Sequence, residues 1–253
     1  MSTSQDDNRG ASPVTAQPSQ HHQENTAEDL TLQVDFSWQR FKSLITNKAD
    51  PQASPLYVVH HKLVKPHLTF KSGADDTPFA TGSLHTFSID AECEIRGRPT
   101  PLKALKRFKT EYMHRSHALA HNHNVADGGA SSAEPARMTW IGSCGLKTWD
   151  YICMDERQMP VAKFSANIWG VKKIGTITFL GANIPSARAT GAISDAVREE
   201  IVVTSLTLFY CMVLRTNSVF SLFGAVFSRP GHEEKVVEEG KGDGVSKAVV
   251  SAQ

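Results

Sequence analysis

Residues 201–214, IVVTSLTLFYCMVL, contain no formal charge, and the way this stretch is enclosed decides the fold. It is preceded by SDAVREE at 194–200, where Ser194 is suited to cap a helix and Asp195, Glu199 and Glu200 set negative charge near the positive end of the helix dipole. Arg215 and Asn217 are suited to end it. A helix from Asp195 to Arg215 would be about 31 Å long, close to the height of a domain. Its second half has no polar face, so it must be wrapped on all sides, by lipid or by protein. A bilayer span needs about 20 predominantly apolar residues, and here Glu200 and Arg215 close the run too early. A core helix is therefore expected, burying Ile201, Val202, Leu206, Leu208, Phe209, Met212 and Val213. The β-branched half, 201–208, is also compatible with a buried strand. A second apolar run, Val219–Phe227, follows too soon to be an independent span.

Most of what precedes the helix alternates with period two. Strands are expected near Leu56–Val59, Leu68–Lys71, Phe79–Leu84 and Phe87–Ile95, punctuated by Gly73, Pro78, Gly82 and Gly97. Four more are carried by MTWIGSCG, LKTWDYICM, PVAKFSANIW and KKIGTITFL, with a hairpin at Asp155–Gln158. Leu32–Ile45 suits a short helix or a strand, and Leu102–Met113 fits either period. The run from His114 to Ala136, rich in His, Ala, Asn, Gly and Ser, has the composition of a loop insertion, as does Gly181–Ile193. Residues 1–30 and 230–253 have the composition of disordered arms, leaving one folded domain at 31–229. A barrel of more than about eight strands is too wide for its own side chains to fill. The expected fold is therefore mainly β, a closed antiparallel barrel wrapped around the hydrophobic C-terminal helix.

Between Phe36 and Arg229 the chain carries 23 Lys/Arg against 15 Asp/Glu, whereas both ends are acidic. A basic body favours anionic partners. The densest basic run is RGRPTPLKALKRFK, with Arg96, Arg98, Lys103, Lys106, Arg107 and Lys109, and Lys172 and Lys173 begin a later strand. These eight form a candidate headgroup site, with Leu102, Leu105 and Phe108 placed to dip into an interface. A solvated strand or helix face explains the same charges.

Cys93, Cys144, Cys153 and Cys211 have no metal-ligand or close-paired spacing, and the N-terminus has no apolar signal core, so a reducing cytoplasmic setting with buried free thiols is expected. His114, His117, His121 and His123 form an HxxHxxxHxH string, three of whose rings, at i, i+3 and i+7, would share one helical face and could hold zinc or nickel. No carboxylate or thiolate completes that set, and no metal or other cofactor is expected. His60 and His61 fit ordinary barrel positions. There is no GxSxG elbow, phosphate loop or HExxH, so no enzyme is expected. Trp140, Trp149 and Trp169 suit barrel packing better than base stacking, which disfavours a nucleic-acid partner.

The segments LKTWDYICMDERQMPVAKFSANIWGVKKIGTITFL and EEIVVTSLTLFYCMVLRTNSVFSLFGAVFSRPG resemble fungal proteins with a Tubby C-terminal-like domain, a superfamily that also holds the Tubby, LURP-one-related and phospholipid scramblase proteins. The resemblance is close over Met138–Gly231 and weaker over Leu56–Met113. It implies a barrel of about twelve strands around a hydrophobic helix. For function it implies a phosphoinositide-binding basic outer face. The same superfamily offers a scramblase-like, membrane-inserted alternative using residues 201–227. The chain shows neither a cysteine-rich palmitoylation patch nor an EF-hand-like calcium loop, which weighs against that alternative. The expected function is reversible, peripheral association with anionic membrane lipid, or with a protein partner as an adaptor.

Overall fold

A computed structural model describes residues 29–37, 39–85, 88–106, 110–121, 134–144, 148–167 and 172–227, the side chains at 121, 144, 148 and 216–227 excepted. Twelve strands run in chain order: β1 (Leu30–Ser37), β2 (Lys42–Asn47), β3 (Tyr57–His61), β4 (Leu68–Ser72), β5 (Pro78–Leu84), β6 (Ala91–Ile95), β7 (Arg98–Ala104), β8 (Glu111–His121), β9 (Glu134–Cys144), β10 (Thr148–Met154), β11 (Pro160–Asn167) and β12 (Lys173–Phe179). A single 3-10 turn at Gly181–Asn183 and two helices, α1 (Pro185–Thr190) and α2 (Asp195–Phe227), follow. Each strand pairs antiparallel with its sequence neighbour, and β12 returns to pair with β1, closing the barrel. At that seam Leu30 lies opposite Phe179 and Leu32 opposite Ile177. Closure removes every exposed sheet edge.

The alternation of the strands sorts side chains by face. Leu32, Val34, Ile45, Phe70, Met138, Trp140, Tyr151, Phe164, Ile177 and Phe179 are fully buried, while Glu92, Glu94, Lys103, Arg115 and His117 stay outside. The lumen is filled by α2, whose residues Ile201–Leu208 are all buried, including Thr204, Ser205 and Thr207. The Thr204 hydroxyl donates to the Glu200 carbonyl at 2.8 Å and the Ser205 hydroxyl to the Val202 carbonyl at 3.1 Å, so these polar atoms are satisfied within the helix. The helix passes close to the wall at Gly82, where a Cβ would come within 2.5 Å of Thr207 Oγ1. Phe209 meets Phe164 and Trp149 edge-on.

The chain divides into two compact units, residues 1–211 and 212–253. The barrel and the buried part of α2 belong to the first. The second begins at Met212, and its described residues are the continuation of α2 to Phe227.

Several expectations need revision. The helix does not stop near Arg215: it continues to Phe227 through the run 219–227, since Thr216, Asn217 and Ser218 are weak helix formers but not breakers. Met212 and Val213 are only partly covered and fall in the second unit. Residues 32–45 form a hairpin, β1 and β2. The ambiguous segment 102–113 resolves as the end of β7 and the start of β8, with 107–109 outside the described residues. His114 does not open a loop: β8 continues to His121, because Tyr112, His114 and Ser116 alternate inward with Met113, Arg115 and His117 outward. The expected loop before the central helix instead holds α1, started by Pro185 and ended by Gly191 at φ 77°. Of the expected arms, 1–30 and 230–253, residues 1–28 and 230–253 lie outside the described residues, and Leu30 begins β1.

Candidate functional site

In a closed antiparallel barrel the odd-to-even connections gather at one rim and the even-to-odd connections at the other. Helix α2 starts at the even-to-odd rim, here the near rim, where it is held by three polar contacts. The β6–β7 hairpin turns on Arg96 (φ 49°) and Gly97 (φ 76°), the two-residue turn whose twist suits antiparallel strands. That left-handed turn brings Arg96 to Glu199, with Nε donating to Oε2 at 2.8 Å and Nη2 to Oε1 at 2.7 Å. Arg198 Nε donates to the Tyr57 hydroxyl at 2.8 Å and also pairs with Asp195. Deeper in, Glu200 Oε1 lies 3.3 Å from His114 Nε2, and the Ala118 amide donates to Oε2 at 3.3 Å. Burial works against the Glu200 charge, but His114, the Ser116 hydroxyl and the Ala118 amide outweigh it and hold this carboxyl below its usual range. The Ser194 hydroxyl accepts the Val197 amide at 3.4 Å, so the helix starts with the expected cap.

At the far rim Tyr210 packs edge-on against His61, 5.4 Å between ring centres, and His61 also meets Phe36 and Phe41. Ser43 Oγ lies 2.9 Å from His61 Nε2. Burial lowers His61 to about 4, so the ring is neutral at pH 7. Among the described residues no carboxylate orients the ring. A buried neutral histidine destabilises the folded state as acidity rises. Its folded pKa lies below its ordinary 6.5, so the unfolded chain takes up the proton first. Stability is expected to fall between pH 6.5 and about 4 by on the order of 3 kcal/mol from this group. Urea denaturation of His61→Phe against the parent across that range checks this: the variant's stability should vary less with pH.

Cys93 and Cys153 are buried free thiols and Cys211 is buried, and burial pushes Cys93 up to about 12 and Cys153 well up. The Cys144 side chain lies outside the described residues. Of the histidine string, His114 faces the lumen and His117 faces solvent, while the His121 side chain and His123 lie outside the described residues. Trp140 is fully buried and Trp149 packs on Phe209; Trp169 lies outside the described residues.

The candidate basic set divides between the rims. Arg96 and Arg98 lie at the near rim, Arg96 already committed to Glu199. Lys103 and Lys106 lie at the far rim, as do Lys172 and Lys173. The two lysine pairs belong to β7 and β12, five strand positions apart around the ring. Arg107 and Lys109 lie outside the described residues. Lys106 pairs with Glu111 at 2.8 Å. The far rim also gathers Arg40, Lys62 and Lys65, which the sequence reading did not include. Together with Lys103, Lys172 and Lys173 they make six exposed cations, none paired with a carboxylate among the described residues. The sequence signal for two of them was present in Lys62-Leu63-Val64-Lys65, directly before Pro66. It lies in a connection, where a search for strands does not look.

No family model matches the chain, and no curated protein or solved structure gives a significant match.

Proposed function

We propose that the chain is a non-enzymatic module of the Tubby C-terminal-like kind that associates reversibly with anionic membrane lipid. The observation supporting this is the gathering of exposed cations at the far rim of a closed barrel, none of the six paired with a carboxylate among the described residues. Each cation held beside an anionic leaflet contributes on the order of 1 kcal/mol, so several acting together give measurable but reversible binding. The resemblance in sequence, and a twelve-strand barrel around a central helix, support the same assignment.

Insertion by residues 201–227 is disfavoured, because Ile201–Leu208 are already buried by the barrel. None of the described helices is long and apolar enough to cross a membrane. The barrel's own arrangement, apolar within and polar without, is the reverse of a membrane-spanning barrel.

Vesicle flotation tests the proposal. The full chain is expected to float with phosphatidylserine- or phosphoinositide-bearing vesicles and not with neutral ones, and added salt should weaken the association. Equal binding to both vesicle types would end it. Displacement by soluble inositol phosphates but not by single-stranded DNA is expected, and the opposite preference would point to nucleic acid.

A further inference from the structure

We infer that the Lys62–Lys65 connection at the far rim is the barrel's membrane contact, inserted among the lipid headgroups. This rests on the anionic-lipid reading above and adds the contact surface to it. Large apolar side chains are distributed unevenly over the first unit. Leu63 is 84% exposed and Val64 71%, at the tip of the β3–β4 connection. Phe41, in the adjacent β1–β2 connection, and Leu105, in the β7–β8 connection across the ring, are also exposed at this rim. Ile141 and Ile152, by contrast, are exposed on the wall, where they face each other across β9 and β10, and Met159, in the β10–β11 connection, is the large apolar side chain exposed at the near rim among the described residues.

The setting of the tips identifies the occupant. Leu63 and Val64 lie between Lys62 and Lys65, so when apolar tips enter the acyl boundary their flanking ammonium groups can reach the phosphates. Arg40 and Lys42 bracket Phe41 beyond Gln39, and Lys106 follows Leu105, repeating the arrangement. A protein partner would call for one contiguous, packed patch. Here the apolar points stand apart on different hairpins around a ring, which suits a planar, deformable surface. The exposed unpaired cations at the same rim require that surface to be anionic. A soluble phosphate would be bound by the lysines but would have no use for Leu63 and Val64.

Flotation of the full chain with phosphatidylserine-containing vesicles tests this with three variants. Leu63→Asp/Val64→Asp is expected to lower partitioning about tenfold or more, through lost apolar burial and added negative charge. Lys62→Gln/Lys65→Gln should lower it about tenfold, since two cations beside the leaflet are removed. Ile152→Asp, on the wall, should leave it unchanged. Leu63→Ser/Val64→Ser separates lost insertion from added charge and should also weaken binding. Thermal melts confirm that each variant is folded. If the parent binds but the Leu63/Val64 variants bind equally well, or lose no more than Ile152→Asp, the Lys62–Lys65 contact is wrong and the anionic-lipid reading survives. If the parent binds no anionic vesicle, both fall.

Discussion

Val203→Asp is expected to yield no folded barrel. Val203 is fully buried within the lumen, with buried helix residues on both sides. An aspartate there would be ionised without a partner or would have to take up a proton to stay neutral. The cost is several kcal/mol, roughly 5 or more, comparable with the whole stability of a typical domain. Near-UV circular dichroism and thermal melts of the purified variant check this. A cooperative transition within a few degrees of the parent would mean that the helix is not enclosed. The same substitution on a helix lying outside the barrel would cost little, so the experiment separates the two arrangements.

The second large effect is expected at Glu200. Glu200→Ala removes the acceptor for the half-buried Ala118 amide and the partner of a fully buried His114. Leaving those groups unsatisfied should cost about 3 to 5 kcal/mol, measurable by urea denaturation. Glu200→Gln keeps the shape and loses the charge, and should cost less. The pH dependence gives a further check. The folded carboxyl titrates below its ordinary 4.5, so its contribution is complete above that value and lost as pH falls through the folded pKa. The stability gap between parent and Glu200→Gln should therefore be widest near pH 7 and narrow in acid. A gap that widened in acid would refute the assignment of a charged, hydrogen-bonded Glu200.

The fold was legible in the sequence because its two decisive patterns are strong. Period-two alternation marks β9–β12 and β3–β5, and a charge-free helical stretch without a polar face demands enclosure on every side. What misled was residue chemistry at particular positions. His114 and Ser116 look like loop residues, yet both help to hold the Glu200 carboxylate and both occupy inward positions of β8. Glu199 and Glu200 suggested dipole complementation. Their partners, Arg96 and His114, lie 103 and 86 residues away and could not be found by local pattern. The candidate basic set was divided for a similar reason. Sequence proximity places Arg96 beside Lys106, whereas a seven-residue strand carries them to opposite rims. Conversely, Lys62 and Lys172 are distant in sequence and share a rim only because their connections have the same parity.

The threaded lumen has a consequence for synthesis. All twelve strands precede the segment that fills them, and both partners at the seam, Leu30 and Phe179, are translated before Ile201. A ribosome-bound chain ending near Ser194 would possess every hairpin and no filling, so its inward Phe, Trp and Leu side chains would face water. The wall must therefore wait, partly open, until the last apolar turns clear the exit tunnel, and nascent chains stalled just short of that point should be the form most dependent on chaperones.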